Sequence, residues 1–373
     1  MGMKQAVYLD HNATTAVRPA AREAIARVLA LAGNASSVHR FGRAARRVVE
    51  DARDAVAALA GATPAQVVFT SGGSEANNLA LRGVGRARII ASAVEHVSVL
   101  KAAPAVEQVP VDGLGVIDLA ALDAMLAADD RPALVSVMAA NNETGVVQPV
   151  AEAASVARRH GALVHCDAVQ AAGKLAIDIK QLGVDMVSLS AHKIGGPMGS
   201  GALVLGDGLP LAAIVRGGGQ ERGRRAGTEN VPGIAGFGAA AEDALAGLAD
   251  FARLAGWRDR IEATLRERAD VRVFGAGAAR LANTTCLTMP GVTAEHQIIA
   301  LDLAGVGVSA GSACSSGKIE PSHVLAAMGV APEVAATAIR VSLGWNSCED
   351  DVERFIAAWA EVHDRARADD VAA

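Results

Sequence analysis

The chain has 373 residues, of which 51% are hydrophobic and only 3% are aromatic, and its formal net charge is −5. This length predicts two or three core-forming units rather than one. The acidic balance and the scarcity of aromatic side chains argue against nucleic acid as a partner, because proteins that bind it present a basic face or stacking platforms.

Short apolar runs alternate with segments of helical periodicity over the first two hundred residues. Helices are predicted at Pro19–Ala32, from Ala76 onward and at Val150–Gly161. This alternation predicts an α/β fold with a mainly parallel sheet that is covered on both faces. The predicted strands are Val7–Leu9, Gln66–Thr70, Arg88–Ser92, Ala133–Met138, Ala162–Asp167, Asp185–Ser190 and Gly201–Leu205.

The pattern changes after a glycine-rich stretch at Arg216–Gly227. A long helical region is predicted at Val231–Ala269, and the last third then mixes strands with helices, which is typical of a smaller α+β domain. Ser347–Asp350 fits a capping box that opens the final helix. The strands predicted in this part lie near Val271–Phe274, Thr284–Met289 and Ala338–Leu343.

The sequence contains no apolar stretch of membrane-spanning length, and residues 1–6 lack the apolar region of a signal peptide. We therefore expect a soluble, cytoplasmic protein without a membrane partner. Its four cysteines form no C-x-x-C pair, so neither a zinc site nor a disulfide framework is predicted. They are Cys166, Cys286, Cys314 and Cys348.

Two neighbouring predicted strands end in groups that suit catalysis. The strand Ala162–Asp167 ends in a carboxylate, and Lys193 follows the strand Asp185–Ser190 closely. Ligands of parallel sheets bind beyond the carboxyl ends of the strands, so we expect both groups in one cleft. Pyridoxal phosphate (PLP) enzymes need this pair, because a lysine holds the cofactor as a Schiff base and an aspartate keeps the pyridine nitrogen protonated.

Each group also has a simpler interpretation. A lysine beside a histidine is usually a surface residue, but Lys193 follows a buried strand, and an imine removes the charge problem of burying it. His165 and Asp167 are conceivable metal ligands, but no third ligand follows at a recognisable spacing. We therefore predict no metal site.

The segment Ser71–Glu75 lies where a predicted strand gives way to a helix. Free backbone N–H groups and a hydroxyl at such a junction hold a phosphate, although many similar segments are only tight turns. The segment is neither a Walker loop nor a Rossmann fingerprint. The run Gly217–Gly219 is weaker still, because no clear strand precedes it.

Cys314 lies among small residues in the segment Ser309–Gly317, which predicts an exposed, mobile loop. Most free cysteines are buried and inert, and Cys166 and Cys286 fit that description because they lie in apolar strands. Cys314 does not fit it. A thiol on a mobile loop suits a nucleophile that reaches a substrate and then carries a product away.

A series of motifs follows one order along nearly the whole chain. They are Tyr8–Thr15, Phe69–Asn78, Glu95–His96, Asn141–Gly145, His165–Gln170, Ser190–Pro197, Gly217–Gly223 with Gly227–Thr228, the Cys314 segment, and Ile339–Ser342. Together they resemble the cysteine desulfurases of the NifS/IscS type, within the class V aminotransferase group of fold-type I PLP enzymes. The resemblance implies a PLP-binding large domain at 14–255. A small domain formed by 1–13 and 256–373 would carry the Cys314 loop.

The resemblance also implies the catalytic groups. Lys193 would bind the cofactor covalently and move the α-proton of the substrate, and Asp167 would pair with the pyridinium nitrogen. His96 would stack on the ring and act in acid–base steps. Cys314 would accept the substrate sulfur as a persulfide.

Further positions would bind the cofactor or the substrate. Arg340 would hold the substrate carboxylate through its planar pair of donors, with help from Asn34. Thr228 would reach the phosphate of the neighbouring subunit, so the resemblance implies a homodimer. The remaining cofactor contacts would be Asn142 and Gln170 at the phenolic oxygen, and Gly73, Ser74, Ser190 and His192 at the phosphate.

The implied reaction converts L-cysteine to L-alanine and passes sulfur through Cys314 to an acceptor such as an iron–sulfur scaffold protein. Two alternatives stay open, namely another PLP enzyme of the same fold, such as an aminotransferase or a selenocysteine lyase, and a non-catalytic binding protein. The sequence does not name the acceptor, so iron–sulfur cluster assembly, tRNA thiolation and a nitrogenase-specific route are all compatible with it.

Overall fold

The computed structural model describes residues 6–310 and 321–372. The strands of this part are β1 Val7–Tyr8, β2 Val67–Thr70, β3 Arg88–Ser92, β4 Glu107–Val109, β5 Ala133–Ser136, β6 Leu163–Asp167, β7 Met186–Ser190, β8 Gly201–Leu205, β9 Thr284–Thr288, β10 Val306–Gly307, β11 Ser309–Ala310 and β12 Ala338–Ser342. Its helices are α1 Pro19–Leu29, α2 Arg40–Leu59, α3 Gly73–Gly83, α4 Val97–Leu100, α5 Leu119–Ala127, α6 Val150–Arg159, α7 Ile179–Leu182, α8 Val231–Ala246, α9 Leu248–Ala252, α10 Leu254–Arg268, α11 Ala294–Leu303, α12 His323–Ala327, α13 Pro332–Ala335 and α14 Glu349–Ala372.

A seven-stranded sheet in the order β2-β8-β7-β6-β5-β3-β4 forms the centre of the fold. Within this sheet β8 alone runs opposite to the other six strands, so the prediction of a mainly parallel α/β fold is confirmed. Successive residues of each strand enter different cores. Phe69 and Val187 pack on the side of α2, α6 and α8, whereas Val68 and Met186 pack on the side of α3 and α4. Burial on both faces explains why these strands read as continuous apolar runs.

A smaller antiparallel sheet in the order β11-β12-β9 follows in the last third of the chain. Helices α10, α11 and α14 pack around it and bury Phe355 and Trp359 completely. The N-terminal strand β1 joins this part, because it pairs in parallel with β10 and buries Val7 and Leu9 in the same core. The domain limits proposed from the sequence stay a prediction.

Three local predictions differ from the structure. The region 231–269 is divided into α8, α9 and α10, and the first break falls at Gly247. The segment 271–274 forms only an isolated bridge from Val273 to Leu287. The last helix begins two residues after Ser347, so the carboxylate of Asp351 accepts the N–H of Cys348, while the Ser347 hydroxyl closes a turn with Gly344.

No helix in the described ranges has both the length and the apolar character that crossing a membrane would require.

The fold brings three structural features together at one place. These are the carboxyl ends of β6 and β7, the N-terminus of α3, and the inner face of β12.

Candidate active site

A cavity of about 510 Å³ opens at the carboxyl ends of β6 and β7, and β12 contributes to its wall. This is the edge of the sheet at which ligands of parallel α/β folds bind. Ten residues predicted for the site line it, namely Gly73, Ser74, His96, Asn142, Asp167, Gln170, Ser190, His192, Lys193 and Arg340. The fold therefore brings most of the predicted site together.

Two predicted residues lie elsewhere. Asn34 is exposed, does not line the cavity, and uses its side chain to accept the backbone N–H of Ser36 at 2.8 Å. Thr228 is exposed as well, and its predicted role requires a neighbouring subunit. Both assignments stay predictions, and a single chain does not test the contact across a dimer that is predicted for Thr228.

Asp167 ends β6, and two donors hold its carboxylate. Nδ2 of Asn77 donates to Oδ2 at 2.7 Å, and the backbone N–H of Val169 donates to Oδ1 at 2.9 Å. Asn77 lies one turn after Gly73 in α3, so the helix that begins at the cavity also orients this carboxylate. Asp167 is buried, with 6% of its surface exposed.

Lys193 follows β7 in a short 3₁₀ turn at Ala191–Lys193. Its Nζ donates to the backbone carbonyl oxygens of Asn12 and Ala13. Both carbonyls belong to the N-terminal segment that β1 draws into the fold. The amine therefore lies in the cavity with neutral partners rather than in a salt bridge.

The surroundings of Lys193 favour its neutral form. Burial, followed by the positive charge of Arg340, lowers the pKa of Lys193 from 10.5 to about 8, against the opposing charges of Asp10 and Asp167. At pH 7 this raises the neutral fraction of the amine from about 0.03% to about 10%. An amine that must attack a carbonyl or remove a proton needs this shift.

His96 caps the N-terminus of α4, because its Nδ1 accepts the backbone N–H of Ser98 at 3.2 Å. The Ser98 hydroxyl lies 2.8 Å from the same nitrogen and accepts a hydrogen bond from Asn77. Desolvation lowers the pKa of His96, while the charge of Asp167 opposes this shift. The hydrogen bonds at Nδ1 place the proton of the neutral ring on Nε2.

The N-terminus of α3 forms one end of the cavity. A Cβ on Gly73 would lie 2.8 Å from the side chain of Val169, so a larger residue does not fit there without a shift. Beside it, the buried Oγ of Ser190 has no hydrogen-bond partner among the described residues. Burial also lowers the pKa of His192 to about 4, so this ring is neutral at pH 7. The end is thus built from N–H and hydroxyl donors.

Arg340, on β12, forms the opposite wall. Its Nη2 donates to the carboxylate of Asp10 at 2.6 Å, and its Nη1 donates to the backbone carbonyl of Asn142 at 3.1 Å. The buried Nε has no partner among the described residues. The guanidinium is therefore fixed in place while part of its donor capacity is unused.

Asn12 joins several of these groups. Its side-chain Nδ2 donates to the backbone carbonyl of Asn142 at 3.1 Å and to the hydroxyl of Thr284 at 2.9 Å. Its backbone carbonyl accepts from Nε2 of Gln170 at 2.8 Å and from Nζ of Lys193. The N-terminal segment is thus the structural link between the central sheet and the small sheet at the site.

His165 occupies a core position rather than a ligand position. Its Nδ1 lies 2.9 Å from the hydroxyl of Ser136, and its Nε2 lies 2.8 Å from that of Ser188. Burial lowers its pKa to about 4. Within residues 6–310 and 321–372, no three histidine, cysteine, aspartate or glutamate side chains come together in a way that would hold a metal ion.

The described cysteines do not provide a nucleophile in the cavity. Cys166 and Cys286 are buried, and burial raises the pKa of each thiol. Cys348 is exposed but does not line the cavity. Cys314 lies outside the described residues, so its predicted role is not tested.

Asp10, Asn12 and Asn77 are among the cavity-lining residues that sequence reasoning missed. All three belong to motifs that carry the resemblance, but none was given a role. Helical spacing offered one signal, because Asn77 lies four residues after Gly73 and so shares its face of α3. Nothing local indicated that Asp10 would meet Arg340, which lies 330 positions away.

The chain matches the family model described as "Aminotransferase class-V" over residues 7–355. The chain belongs to this family. A cysteine desulfurase of Cereibacter sphaeroides is 45% identical over 378 residues, with 97% of each chain covered. An IscS-like cysteine desulfurase of Mycobacterium tuberculosis is 42% identical, with 96% of this chain and 97% of the relative covered.

Comparison with solved structures leads to the same group of proteins. A crystal structure of a NifS-like protein from Rickettsia africae superposes with a TM-score of 0.91 at 36% identity. The match covers 96% of this chain and 100% of that one. The predicted resemblance to the cysteine desulfurases and the predicted fold type are therefore confirmed, and the family implies PLP as the cofactor.

Proposed function

We propose that this chain is a PLP-dependent cysteine desulfurase. The observation that carries the proposal is the convergence of the Lys193 amine, the Asp167 carboxylate and the Arg340 guanidinium on one cavity. The amine suits PLP because it can hold the cofactor as a Schiff base, and the carboxylate suits it because it can keep the pyridine nitrogen protonated. The guanidinium suits the carboxylate of an amino acid. Full-length relatives that are named cysteine desulfurases support the choice of substrate.

The cavity fits PLP in its chemistry. The buried Ser190 hydroxyl that lacks a partner and the first N–H groups of α3 form a site for a phosphate group. A side chain at Gly73 would narrow that site, and none is present. Asp167 would face the pyridine nitrogen, and Asn142 and Gln170 would face the phenolic oxygen.

When bound, PLP supplies an electron-withdrawing ring that makes the α-proton of an attached amino acid acidic. Lys193 would hold the cofactor covalently until the amino group of the substrate takes its place. Its released amine would then remove this proton, since its low pKa leaves part of the amine neutral. His96 would present its Nε2 proton to the substrate. Arg340 would orient the substrate through the carboxylate, as paired donors do.

Cys314 would determine the outcome of the reaction. Its thiolate would attack the substrate sulfur, so that one S–S bond forms while the Cβ–Sγ bond of L-cysteine breaks. Cβ then takes up a proton, and Cα regains a proton in place of the one that Lys193 removed. The products are L-alanine and a persulfide on Cys314, and the atoms balance without an external oxidant. The persulfide sulfur would pass to an acceptor protein, such as an iron–sulfur scaffold.

The finer assignments belong to the same proposal. A homodimer would bring Thr228 of one subunit to the phosphate held by the other, and Asn34 would assist Arg340. We assign the protein to the cytoplasm. We also propose that the chain divides into a large domain at 14–255 and a small domain formed by 1–13 and 256–373.

The test is alanine formation from L-cysteine by PLP-loaded protein in the presence of a thiol reductant. Wild type and Cys348→Ala should form alanine at the same rate, because Cys348 does not line the cavity. Cys314→Ala should retain the bound cofactor and lose turnover, and Lys193→Ala should lose the covalent link to the cofactor. Wild type that binds PLP but makes no alanine would have a different substrate, which would overturn the proposal.

A further inference from the structure

Lys174 is a buried lysine that lies behind the wall of the cavity. Only 8% of its surface is exposed, and it follows β6 by seven residues. Its Nζ donates to Oδ1 of Asn12 at 3.0 Å and to Oε1 of Gln170 at 2.9 Å. Among the described residues, no carboxylate oxygen lies within 4 Å of its ammonium group. A buried cation without a counter-ion is costly, so its presence needs an explanation.

The electrostatic surroundings add to this cost. Burial and then the positive charges of Lys193 and Arg340 lower the pKa of Lys174 well below its usual range. A hydrophobic side chain of similar length would avoid that cost. What a methionine or leucine would not provide is a group that donates hydrogen bonds to two amide oxygens.

The N–H groups of Lys174 orient the amides that face them. Nζ keeps N–H donors whether or not it is protonated, and both atoms that face it are oxygens. Gln170 therefore directs Oε1 toward Lys174, and its Nε2 points the other way and donates to the backbone carbonyl of Asn12 at 2.8 Å. That nitrogen carries a second N–H, and Gln170 lines the cavity.

Asn12 is fixed in the same way. Its Oδ1 accepts from Lys174 and from Nδ2 of Asn283 at 3.1 Å. Its Nδ2 then donates to the backbone carbonyl of Asn142 and to the hydroxyl of Thr284. Without Lys174, Oε1 of Gln170 would lose the one donor that the described residues give it, whereas Asn12 would keep its contacts with Asn283, Asn142 and Thr284.

We propose that Lys174 is a positioning residue that holds the amide of Gln170 in the orientation that directs its free N–H toward the phenolic oxygen of the cofactor. The inference rests on the proposed function, because it assumes PLP in the cavity. Lys174 itself does not line the cavity in which the cofactor would bind. It acts through Gln170, whose Nε2 donates to the backbone carbonyl of Asn12 that also holds Lys193.

The test compares Lys174→Met with wild type and with Lys180→Met. Methionine keeps the length of the side chain and removes the donors, and Lys180 is an exposed lysine on α7 that serves as the matched control. We expect Lys174→Met to unfold at a temperature no lower than that of wild type, because it removes a buried amine that has no counter-ion among the described residues. We expect it to bind PLP about tenfold more weakly, or ~1.4 kcal/mol, and to shift the absorption band of the bound cofactor.

A double-mutant comparison tests whether the effect of Lys174 on cofactor binding passes through Gln170. If Lys174 acts through the Gln170 amide, Lys174→Met should add little to the weakening of PLP binding in a Gln170→Ala background. Lys174→Gln, which keeps an NH₂ donor without the charge, should retain part of the wild-type cofactor band. It also provides a second variant if Lys174→Met does not fold.

The two proposals fail in different ways. Wild type that does not bind PLP would overturn the proposed function, whatever Lys174 does. Wild type that binds PLP and forms alanine, together with a Lys174 variant of unchanged cofactor band and affinity, would overturn only the positioning role. Fully additive effects of Lys174→Met and Gln170→Ala would also contradict it.

Discussion

The carboxylate of Asp10 accepts a hydrogen bond from the guanidinium of Arg340 at 2.6 Å inside the cavity. Arg340 is 6% exposed on its side chain and Asp10 is 21% exposed, so water screens this pair only partly. The group proposed to bind the substrate carboxylate therefore already has a carboxylate beside it. An incoming L-cysteine must share Arg340 with Asp10 or displace it.

Asp10→Asn should tighten substrate binding. Asparagine keeps an oxygen that accepts from Arg340, but it removes the negative charge that repels the substrate carboxylate. We expect the KM for L-cysteine to fall about threefold while kcat changes less. Steady-state alanine formation at a fixed pH measures both values. A KM that rises would contradict the idea that Asp10 competes with the substrate.

Arg340→Lys should have the opposite effect. Lysine keeps the charge but loses the planar pair of donors, and it cannot contact Asp10, Asn142 and a substrate carboxylate together. We expect the KM to rise at least about tenfold, with smaller loss of PLP binding. An unchanged KM would mean that the substrate carboxylate binds elsewhere.

The rate of PLP capture should depend on pH through Lys193. Since the folded pKa is about 8 and the neutral amine is the reactive form, the rate should rise about tenfold per pH unit below 8 and level off above it. Stopped-flow absorbance of apo-protein mixed with PLP between pH 6 and 9 gives this profile. A rate that still rises steeply at pH 9 would show that the amine has an ordinary pKa.

Asn77→Ala should weaken cofactor binding through Asp167. The substitution removes the 2.7 Å hydrogen bond to the carboxylate and the 2.9 Å hydrogen bond to the Ser98 hydroxyl. We expect about tenfold weaker PLP binding, since a hydrogen bond to a charged group is worth about 1.5–3 kcal/mol. Asn78→Ala is the control, because within the described part of the chain Asn78 donates only to the carbonyl of Ser74. Equal losses in the two variants would count against the role of Asn77.

Arg53→Ala should destabilise the fold. Arg53 and Glu221 are both buried and form two hydrogen bonds at 2.7 and 2.9 Å, and Glu221 also accepts the N–H of Phe69. Removing the arginine leaves a buried carboxylate without its partner, which costs about 3–5 kcal/mol. Arg47→Ala on the same helix should change little, because Arg47 is exposed. Urea unfolding compares the two, and similar midpoints would refute the prediction.

The positions of Asp167 and Lys193 could be predicted because local pattern decides them. Each follows a buried strand, and neighbouring parallel strands end at one edge of a sheet. The reversed direction of β8 could not be predicted, because its apolar run Gly201–Leu205 has the same pattern in either orientation. Gly247 marks the break between α8 and α9, but a single glycine does not predict a break because a helix can contain one.

The contacts of the N-terminal segment could not be predicted from local sequence patterns. Asp10 and Asn12 reach the cavity only because β1 pairs with β10 and the small sheet then places Arg340 opposite them. Lys174 belongs to none of the predicted motifs. Its contacts are with two amides, and one of these lies 162 positions away in the sequence. The assignment of Cys314 stays a prediction from the sequence.

The most direct test of the account is a single turnover of PLP-loaded protein with L-cysteine and no reductant. Alanine is quantified, and the masses of the peptides are measured by mass spectrometry after proteolysis of the protein. The account predicts about one alanine per active site and a gain of one sulfur atom on the peptide that contains Cys314, but not on the peptide that contains Cys348. Equal alanine formation by Cys314→Ala, or a sulfur gain on another cysteine, would contradict it.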